Sequence, residues 1–160
     1  MRAGKILQCQ LHENAENLYV SQIQIHEETP LQVCSGLVKF IPLEQMVDRR
    51  VVVLTNLKPS KMRGVKSEAM VLATEDESSV ELINPPVNSE VGERLLFEMF
   101  PVLPQEPPRL KSKVWQEIQS CLKTNSHGEA TYTFEGKEYV LRGQEGQAAN
   151  ADTLRNTVIR

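Results

Sequence analysis

Residues 56–70, with the sequence NLKPSKMRGVKSEAM, carry four cations and only one acid, Glu68. Across the wider stretch 49–66 there are six Lys or Arg residues and no Asp or Glu, whereas the whole chain has a net charge of −3. An anionic partner responds to the local field more than to the net charge, and phosphate groups are bound by clustered Lys and Arg. The segment therefore favours a binding surface for a polyanion such as a nucleic acid.

Apolar and backbone-accessible positions alternate with these cations, since Met62, Gly64 and Met70 lie among them. Such positions suit contact with a base as well as with its phosphate. The alternative is a solvated loop whose lysines serve only solubility. An inert surface usually mixes charges of both signs, and residues 75–106 hold eight acids against one base. The charge pattern thus predicts one positive and one negative side of the molecule.

Patterns for catalysis or metal binding are weak in this sequence. The three histidines, His12, His26 and His127, accompany no Gly-x-Ser-x-Gly motif and no glycine-rich phosphate loop. Cys9 and His12 are three residues apart, with His26 and Cys34 further along, but structural zinc normally uses two close ligand pairs. We therefore predict no catalytic residue, no metal and no cofactor, and we expect His12 to be exposed in a turn.

The composition is that of a globular protein with one domain or two small ones. The chain has 160 residues, of which 40% are hydrophobic and 24% charged. No apolar run is long enough to cross a bilayer, and the first residues lack the hydrophobic block of a signal peptide. The three cysteines are an odd number, which argues against a disulfide framework. These features predict a cytoplasmic protein with no membrane partner.

The elements that must hold the basic segment are short strands. Residues 49–57, RRVVVLTNL, are rich in β-branched residues with little alternation, so we expect this strand to be buried on both faces or curved into a barrel. The basic segment follows it as a loop, and Pro42 begins one helical turn. Short strands with frequent turns predict a small closed barrel or a sandwich. The remaining predicted strands are 4–11, 17–25, 32–38, 68–75, 78–86 and 93–100.

A different pattern begins after residues 101–109, which contain four prolines and read as a linker. Helical spacing of Val114, Trp115, Ile118 and Leu122 predicts a helix with Ser112 as its N-cap. Residues 130–143 predict a hairpin around Glu135-Gly136-Lys137, and the last ten residues carry no signal. We therefore predict an all-β domain at 1–104 and a small α+β piece at 105–160, which docks on the first through Trp115.

Three segments closely resemble the EMAP II-like tRNA-binding domain. They are CSGLVKFIPLEQM, VVVLTNLKPSKMRGVKSEAMVLAT and INPPVNSEVGERLLFEMF. The opening RAGKILQCQLHENAENLYV resembles the start of that domain, and KVWQEIQSCLKTN resembles the helix of the C-terminal extension in its eukaryotic forms. The module occurs at the C-terminus of some tyrosyl- and methionyl-tRNA synthetases and in auxiliary proteins of the multisynthetase complex. The resemblance covers residues 2 to 135.

The resemblance implies a mostly β chain in which residues 1–104 form an OB-fold, a five-stranded barrel. Residues 105–160 would then be a subdomain that packs where dimeric relatives place a second subunit, so that the chain is a monomer. The implied function is non-catalytic binding of tRNA, by backbone and shape with little sequence selectivity, to supply a tyrosyl, methionyl or complex-bound synthetase. The implied tRNA-binding residues are Asn56, Lys58, Lys61, Arg63, Lys66, Ser67 and Met70.

A second function stays open, as a protein-interaction or scaffold domain of a synthetase complex. The heptapeptide that some relatives link to cytokine activity after proteolytic release matches Arg2, Ala3, Gly4, Lys5, Ile6, Leu7 and Gln8. This alternative includes cytokine-like signalling by a released, secreted form. Since the chain begins at the first predicted strand, we expect a domain of a longer synthetase or synthetase-associated protein.

Two departures from the family pattern predict weaker tRNA binding than in a basic relative. After His12 the family usually has Pro-Asp-Ala-Asp, and this chain has Glu-Asn-Ala-Glu at 13–16. The cationic run that usually precedes the helix is reduced to Lys111-Ser112-Lys113.

Overall fold

Strands dominate the fold, which a computed structural model describes over residues 1–160. Two short helices accompany them, α1 (Leu43–Met46) and α2 (Ser112–Gln119), and neither is long and apolar enough to span a membrane. The first seven strands are β1 (Arg2–His12), β2 (Ala15–Gln24), β3 (Leu31–Ser35), β4 (Arg50–Leu54), β5 (Ser60–Met62), β6 (Val65–Ser67) and β7 (Met70–Val71). The other seven are β8 (Ala73–Glu75), β9 (Val80–Leu82), β10 (Leu96–Phe97), β11 (Leu122–Thr124), β12 (Ala130–Phe134), β13 (Lys137–Arg142) and β14 (Val158–Ile159).

An antiparallel five-stranded sheet has the order β3-β2-β1-β4-β7. Its central strand, β1, is long enough to pair with β2 and with β4. The register between β1 and β2 shifts after Ile6, and such an irregularity lets a strand bend. The inner side of the sheet encloses a first core of thirteen buried residues, which includes Ile6, Ile23, Val33 and Val51.

A second sheet joins strands from both ends of the chain, in the order β10-β13-β12-β11-β14-β8-β9. Strand β14 lies between β11 and β8, although the last ten residues give no local signal for a strand. Next to it, Arg160 and Ala73 exchange two backbone hydrogen bonds of 2.7 and 2.9 Å. The C-terminal residues are therefore held by long-range pairing to β8.

Strand β4 is buried on both faces, as its sequence predicts. Val51 and Val53 belong to the first core, whereas Val52 and Leu54 belong to a second core of thirteen buried residues. Successive side chains of a strand point to opposite sides, so one strand serves both cores. Most of the second core comes from the C-terminal part of the chain, including Trp115.

The C-terminal part contains the predicted helix and hairpin, with two corrections. Ser112 is the first residue of α2 and Lys111 is its N-cap, which makes no side-chain capping bond. The helix ends before Leu122, which lies in β11. The hairpin of β12 and β13 turns at Glu135 and Gly136, whose φ angles are 50° and 80°, the conformation of a tight type I′ turn.

The prediction of a mostly β chain is confirmed, but the strand pairing leaves both sheets open. The predicted strand 68–75 is divided into β7 and β8 around Leu72. No hydrogen-bonded ladder joins β3 to β7, the two edge strands of the five-stranded sheet. A closed barrel is thus not confirmed by the ladders.

Replacing Trp115 tests whether the second core stabilises the whole fold. Trp115 is 7% exposed, and its neighbour Val114 on the same helix is 40% exposed. We expect Trp115→Ala to lower the free energy of unfolding by about 3–5 kcal/mol, because it leaves a large cavity. Val114→Ala is the control and should change stability by less than about 0.5 kcal/mol. Equal urea midpoints for the two variants would contradict this role of Trp115.

Candidate nucleic-acid interface

The basic segment folds as a β-hairpin, so the prediction that it forms a loop is wrong. Strands β5 and β6 pair with Lys61 opposite Lys66 and Met62 opposite Val65. Arg63 and Gly64 form the turn, with φ angles of 53° and 86°. Two consecutive positive φ angles define the tight turn that matches strand twist, and glycine adopts the second without strain. We call residues 60–67 the basic hairpin.

Positive charge on and beside the basic hairpin is largely unneutralised. Lys58, Lys61, Arg63 and Lys66 are all exposed, and only Lys66 has an acidic partner, since its Nζ lies 4.0 Å from a Glu68 carboxylate oxygen. Like charges directly opposite each other destabilise a strand pair, so the Lys61 and Lys66 pair is unfavourable for the isolated hairpin. A bound anion would relieve this repulsion.

Two predicted site residues make internal hydrogen bonds instead of presenting free polar groups. The Ser67 hydroxyl is buried, accepts from the Cys34 backbone N–H at 3.0 Å and donates to the Ala69 carbonyl at 3.1 Å. The Asn56 side-chain amide donates to the Pro108 carbonyl at 2.9 Å. Both residues hold the hairpin base. Met70 is half-buried at the start of β7.

The structure adds Arg109 and Lys111 to the predicted cations. A parallel bridge joins Leu57 to Leu110, and Leu110 donates a backbone hydrogen bond of 2.8 Å to Asn56. Because Leu57 and Leu110 pack toward the second core, the exposed Arg109 and Lys111 run alongside Asn56 and Lys58. The two segments are far apart in sequence. The resemblance gave a signal for Lys111, through the reduced cationic run before the helix, but no signal placed it or Arg109 beside Asn56.

Arg49 and Arg50 make hydrogen bonds and an ion pair within the protein. Arg49 donates to the Asn84 side-chain oxygen at 3.1 Å and lies 3.8 Å from the Asp152 carboxylate. Arg50 donates to the backbone carbonyl and hydroxyl of Ser89. These two arginines therefore connect β4 to other segments and are separate from the basic hairpin.

His12 is buried, which corrects the expectation of an exposed turn residue. Its Nδ1 accepts a hydrogen bond from the Asn14 backbone N–H at 2.9 Å, and its Nε2 lies 3.0 Å from the Met62 carbonyl. Since Nδ1 is an acceptor, the proton of the neutral ring is on Nε2 and is donated to Met62. His12 thereby ties the basic hairpin to the turn between β1 and β2.

Residues 2–8, the predicted heptapeptide, lie within β1 between β2 and β4. Ala3 and Ile6 have no exposed surface. Arg2 and Arg94 both pair with Glu106 in the proline-rich segment. The hydrogen bond from Arg94 and the charge of Arg2 lower the pKa of the Glu106 carboxyl. This clamp fixes the proline-rich segment that carries Arg109.

The family model described as "Putative tRNA binding domain" matches residues 1–94 of this chain, which include the whole basic hairpin. The chain belongs to this family. The match ends before β10. The Arg109 and Lys111 strip lies beyond it in sequence and beside it in space.

Relatives of this tRNA-binding domain are parts of longer proteins. The chain is 41% identical over its full length to a mouse protein, aminoacyl tRNA synthase complex-interacting multifunctional protein 1, and covers 50% of it. It is 39% identical over its full length to the cytoplasmic methionine--tRNA ligase of Caenorhabditis elegans and covers 17% of that protein. The chain thus spans about half or less of these curated relatives.

The fold of the whole chain is also found in a solved structure. The C-terminal domain of Plasmodium vivax p43 has a TM-score of 0.87 and 29% identity, with 99% of this chain and 94% of that chain covered. The similarity therefore includes the C-terminal residues that lie outside the family match.

Removing the His12 tether should loosen the basic hairpin without unfolding the domain. We expect His12→Ala to accelerate amide hydrogen exchange at residues 60–67 by roughly 2- to 12-fold, the effect of losing one hydrogen bond. His26→Ala is the matched control because His26 is exposed and has no such bond. Unchanged exchange at 60–67 in His12→Ala, or equal acceleration in the control, would show that the tether is not functional.

Proposed function

We propose that this chain is a non-catalytic tRNA-binding module that supplies tRNA to an aminoacyl-tRNA synthetase. The observation that carries the proposal is one exposed strip of cations free of acidic partners, built by the basic hairpin and the segment beside it. Its members are Lys58, Lys61, Arg63, Arg109 and Lys111. Membership of the tRNA-binding domain family gives the ligand class.

Contacts of this kind position RNA by its phosphates and carry little sequence information. The cations lie on a paired hairpin and on a segment held by a backbone hydrogen bond from Leu110 to Asn56 and by the Asn56 side chain, so their spacing is set before binding. We therefore propose recognition by backbone and shape, with low selectivity among tRNAs. Lys66, which has Glu68 nearby, contributes less than Lys61 or Arg63.

We propose an OB-type barrel for residues 1–104, with 105–160 as a subdomain docked on it. The proposal is supported by hydrogen bonds that bring together the two edges of the first sheet, at β3 and near β7. The Glu68 backbone N–H donates to the Gln32 carbonyl at 2.7 Å, and the Cys34 N–H donates to Ser67 Oγ. These bonds connect β3 to the last residue of β6 and to the residue that follows it. OB-folds bind oligonucleotides through one sheet face and its bordering loops.

The proposed partner is a synthetase, either methionyl, tyrosyl or bound in a multisynthetase complex. One relative is named as a complex-interacting protein and another as a cytoplasmic methionine--tRNA ligase. A tethered module raises the local concentration of tRNA near the catalytic domain and needs no chemistry of its own. We propose a cytoplasmic location on the same basis.

Salt-dependent tRNA titrations test the binding proposal. If four to six cations contact phosphates, log affinity should fall with log salt at a slope of roughly 3 to 5. Lys58→Ala and Arg63→Ala should each reduce the slope by about one. Lys137→Ala is the matched control, since Lys137 is exposed, makes no ion pair and lies on the hairpin of β12 and β13. Fluorescence anisotropy with labelled tRNA measures these values.

Two outcomes would contradict tRNA binding through this strip. One is no binding at low salt by the unaltered chain. The other is an equal loss in Lys137→Ala and Arg63→Ala, which would indicate a diffuse charge effect. Recovery of a synthetase by a variant with Lys58, Lys61 and Arg63 all changed to Glu would show that protein contact is independent of tRNA.

We propose that the chain is a monomer because residues 105–160 cover the outer face of β4. Val52 and Leu54 lie in the second core, most of whose members come from the C-terminal part of the chain. We propose that dimeric relatives place a second subunit on this face. Sedimentation equilibrium should give a mass close to 18.1 kDa at all protein concentrations. A mass that doubles with concentration would contradict this role of the C-terminal residues.

The signalling role of residues 2–8 stays a prediction. Ala3 and Ile6 are completely buried within β1, so this role requires the strand to leave the sheet.

A further inference from the structure

A cleft of about 360 Å³ opens beside the basic hairpin. Its walls come from the end of β3, the hairpin base, strands β7 to β9 and the C-terminal Arg160. Much of its lining is apolar and includes Phe40, Leu57 and Met70. The volume falls within the range of about 300–1,000 Å³ that is typical of small-ligand sites. The tRNA-binding strip already described uses only Lys58 from this lining.

Phe40 is an aromatic ring without an aromatic partner at this cleft. Its side chain is 52% exposed, and it forms none of the ring pairs of the protein. The aromatic rings that form those pairs are all later in the sequence. They are Phe97, Phe100, Tyr132, Phe134 and Tyr139. A half-exposed ring beside an apolar floor offers a planar surface on which another ring can stack.

The polar groups of the cleft leave hydrogen-bonding capacity for a ligand. Ser35 and Ser60 are lining residues. Their hydroxyls make no hydrogen bond within the protein, and each can donate or accept. The two carboxylates are occupied, since Glu68 accepts from the Gln32 backbone N–H at 2.8 Å and Glu75 pairs with Arg160 at 3.0 Å. Their charge is thereby partly offset.

We propose that this cleft, which we call the base cleft, takes one unpaired nucleobase of the RNA that the basic hairpin holds. The base stacks on Phe40, its edge meets the hydroxyls of Ser35 and Ser60, and Lys58 contacts its phosphate. The inference rests on the proposed function and adds a preference that phosphate contacts do not give, namely single-stranded over double-stranded RNA.

The combination of an apolar floor with a cation at the rim favours a nucleotide over a bare phosphate. An inorganic anion gains nothing from Phe40, Leu57 or Met70, whereas a base can stack on the ring and bury apolar surface against this lining. Bases in an RNA duplex are stacked and inaccessible to such a cleft, and proteins read bases that are splayed out of loops and ends. The occupant is therefore a base from an unpaired region.

Two RNA probes and two kinds of variant test the base cleft. The probes are a labelled single strand of about eight nucleotides and a duplex of the same total phosphate number. Phe40→Ala should weaken single-strand binding by about 5- to 150-fold, the effect of losing one base–aromatic stack, and leave duplex binding unchanged. Phe40→Trp should retain the affinity. Phe134→Ala, at a ring 43% exposed in the distant aromatic group, is the matched control.

Gly36→Leu provides an independent test, because it adds a bulky side chain to the lining of the cleft without removing the ring. Gly36 lines the cleft, its φ is not positive, and a Cβ added there meets no atom within 4 Å. The added side chain should lower single-strand affinity while the salt slope for tRNA is retained.

The outcomes separate the base cleft from the tRNA-binding proposal. Unchanged single-strand affinity in both Phe40→Ala and Gly36→Leu would overturn the base cleft and leave tRNA binding through the hairpin intact. An equal loss for single strand and duplex would also overturn it. Failure of the unaltered chain to bind any RNA would overturn both proposals.

Discussion

Burial of β4 on both faces is the constraint on which the rest of this structure depends. Val51 and Val53 fill one core and Val52 and Leu54 fill the other. Each buried aliphatic side chain contributes about 1.5–3 kcal/mol relative to exposure, so the outer face must be covered. Residues 110–159 provide most of that cover, together with Leu72, Ile83 and Leu95. Because β4 leads directly into Asn56 and the basic hairpin, both parts of the chain hold the base of this hairpin.

The acids of residues 75–106 do more than face solvent on a negative side. Glu81 accepts hydrogen bonds from Thr153 and from the Leu154 backbone N–H. Glu98 accepts from Arg142 and from the Val140 backbone N–H, and these bonds lower the pKa of its carboxyl. These acids therefore attach C-terminal segments to β9 and to the end of β10, two strands of the second sheet. Their charge is partly compensated within the fold, and the cations of the hairpin are left without acidic neighbours except Glu68.

Within one short segment, some residues provide exposed positive charge and others stabilise the hairpin. Asn56 and Ser67 hold the base of the basic hairpin through internal hydrogen bonds, whereas Lys58, Lys61 and Arg63 are exposed and free of ion pairs. His12 adds a third anchor through the Met62 carbonyl. A hairpin fixed at its base can tolerate the repulsion between Lys61 and Lys66, which costs up to about 1 kcal/mol in a strand pair. A bound polyanion would relieve this repulsion.

The sequence by itself determined the features that depend on neighbouring residues. These are the strands of the first sheet, the double burial of β4, the helix around Trp115, the turn at Gly136 and the cationic character of 58–66, since periodicity and local charge are read within one segment. Only the tertiary structure decided that β14 pairs with β8, that His12 is buried, and that Arg109 runs beside Asn56. Each of these depends on contacts between residues about fifty or more positions apart in sequence, and such contacts leave no local period in the chain.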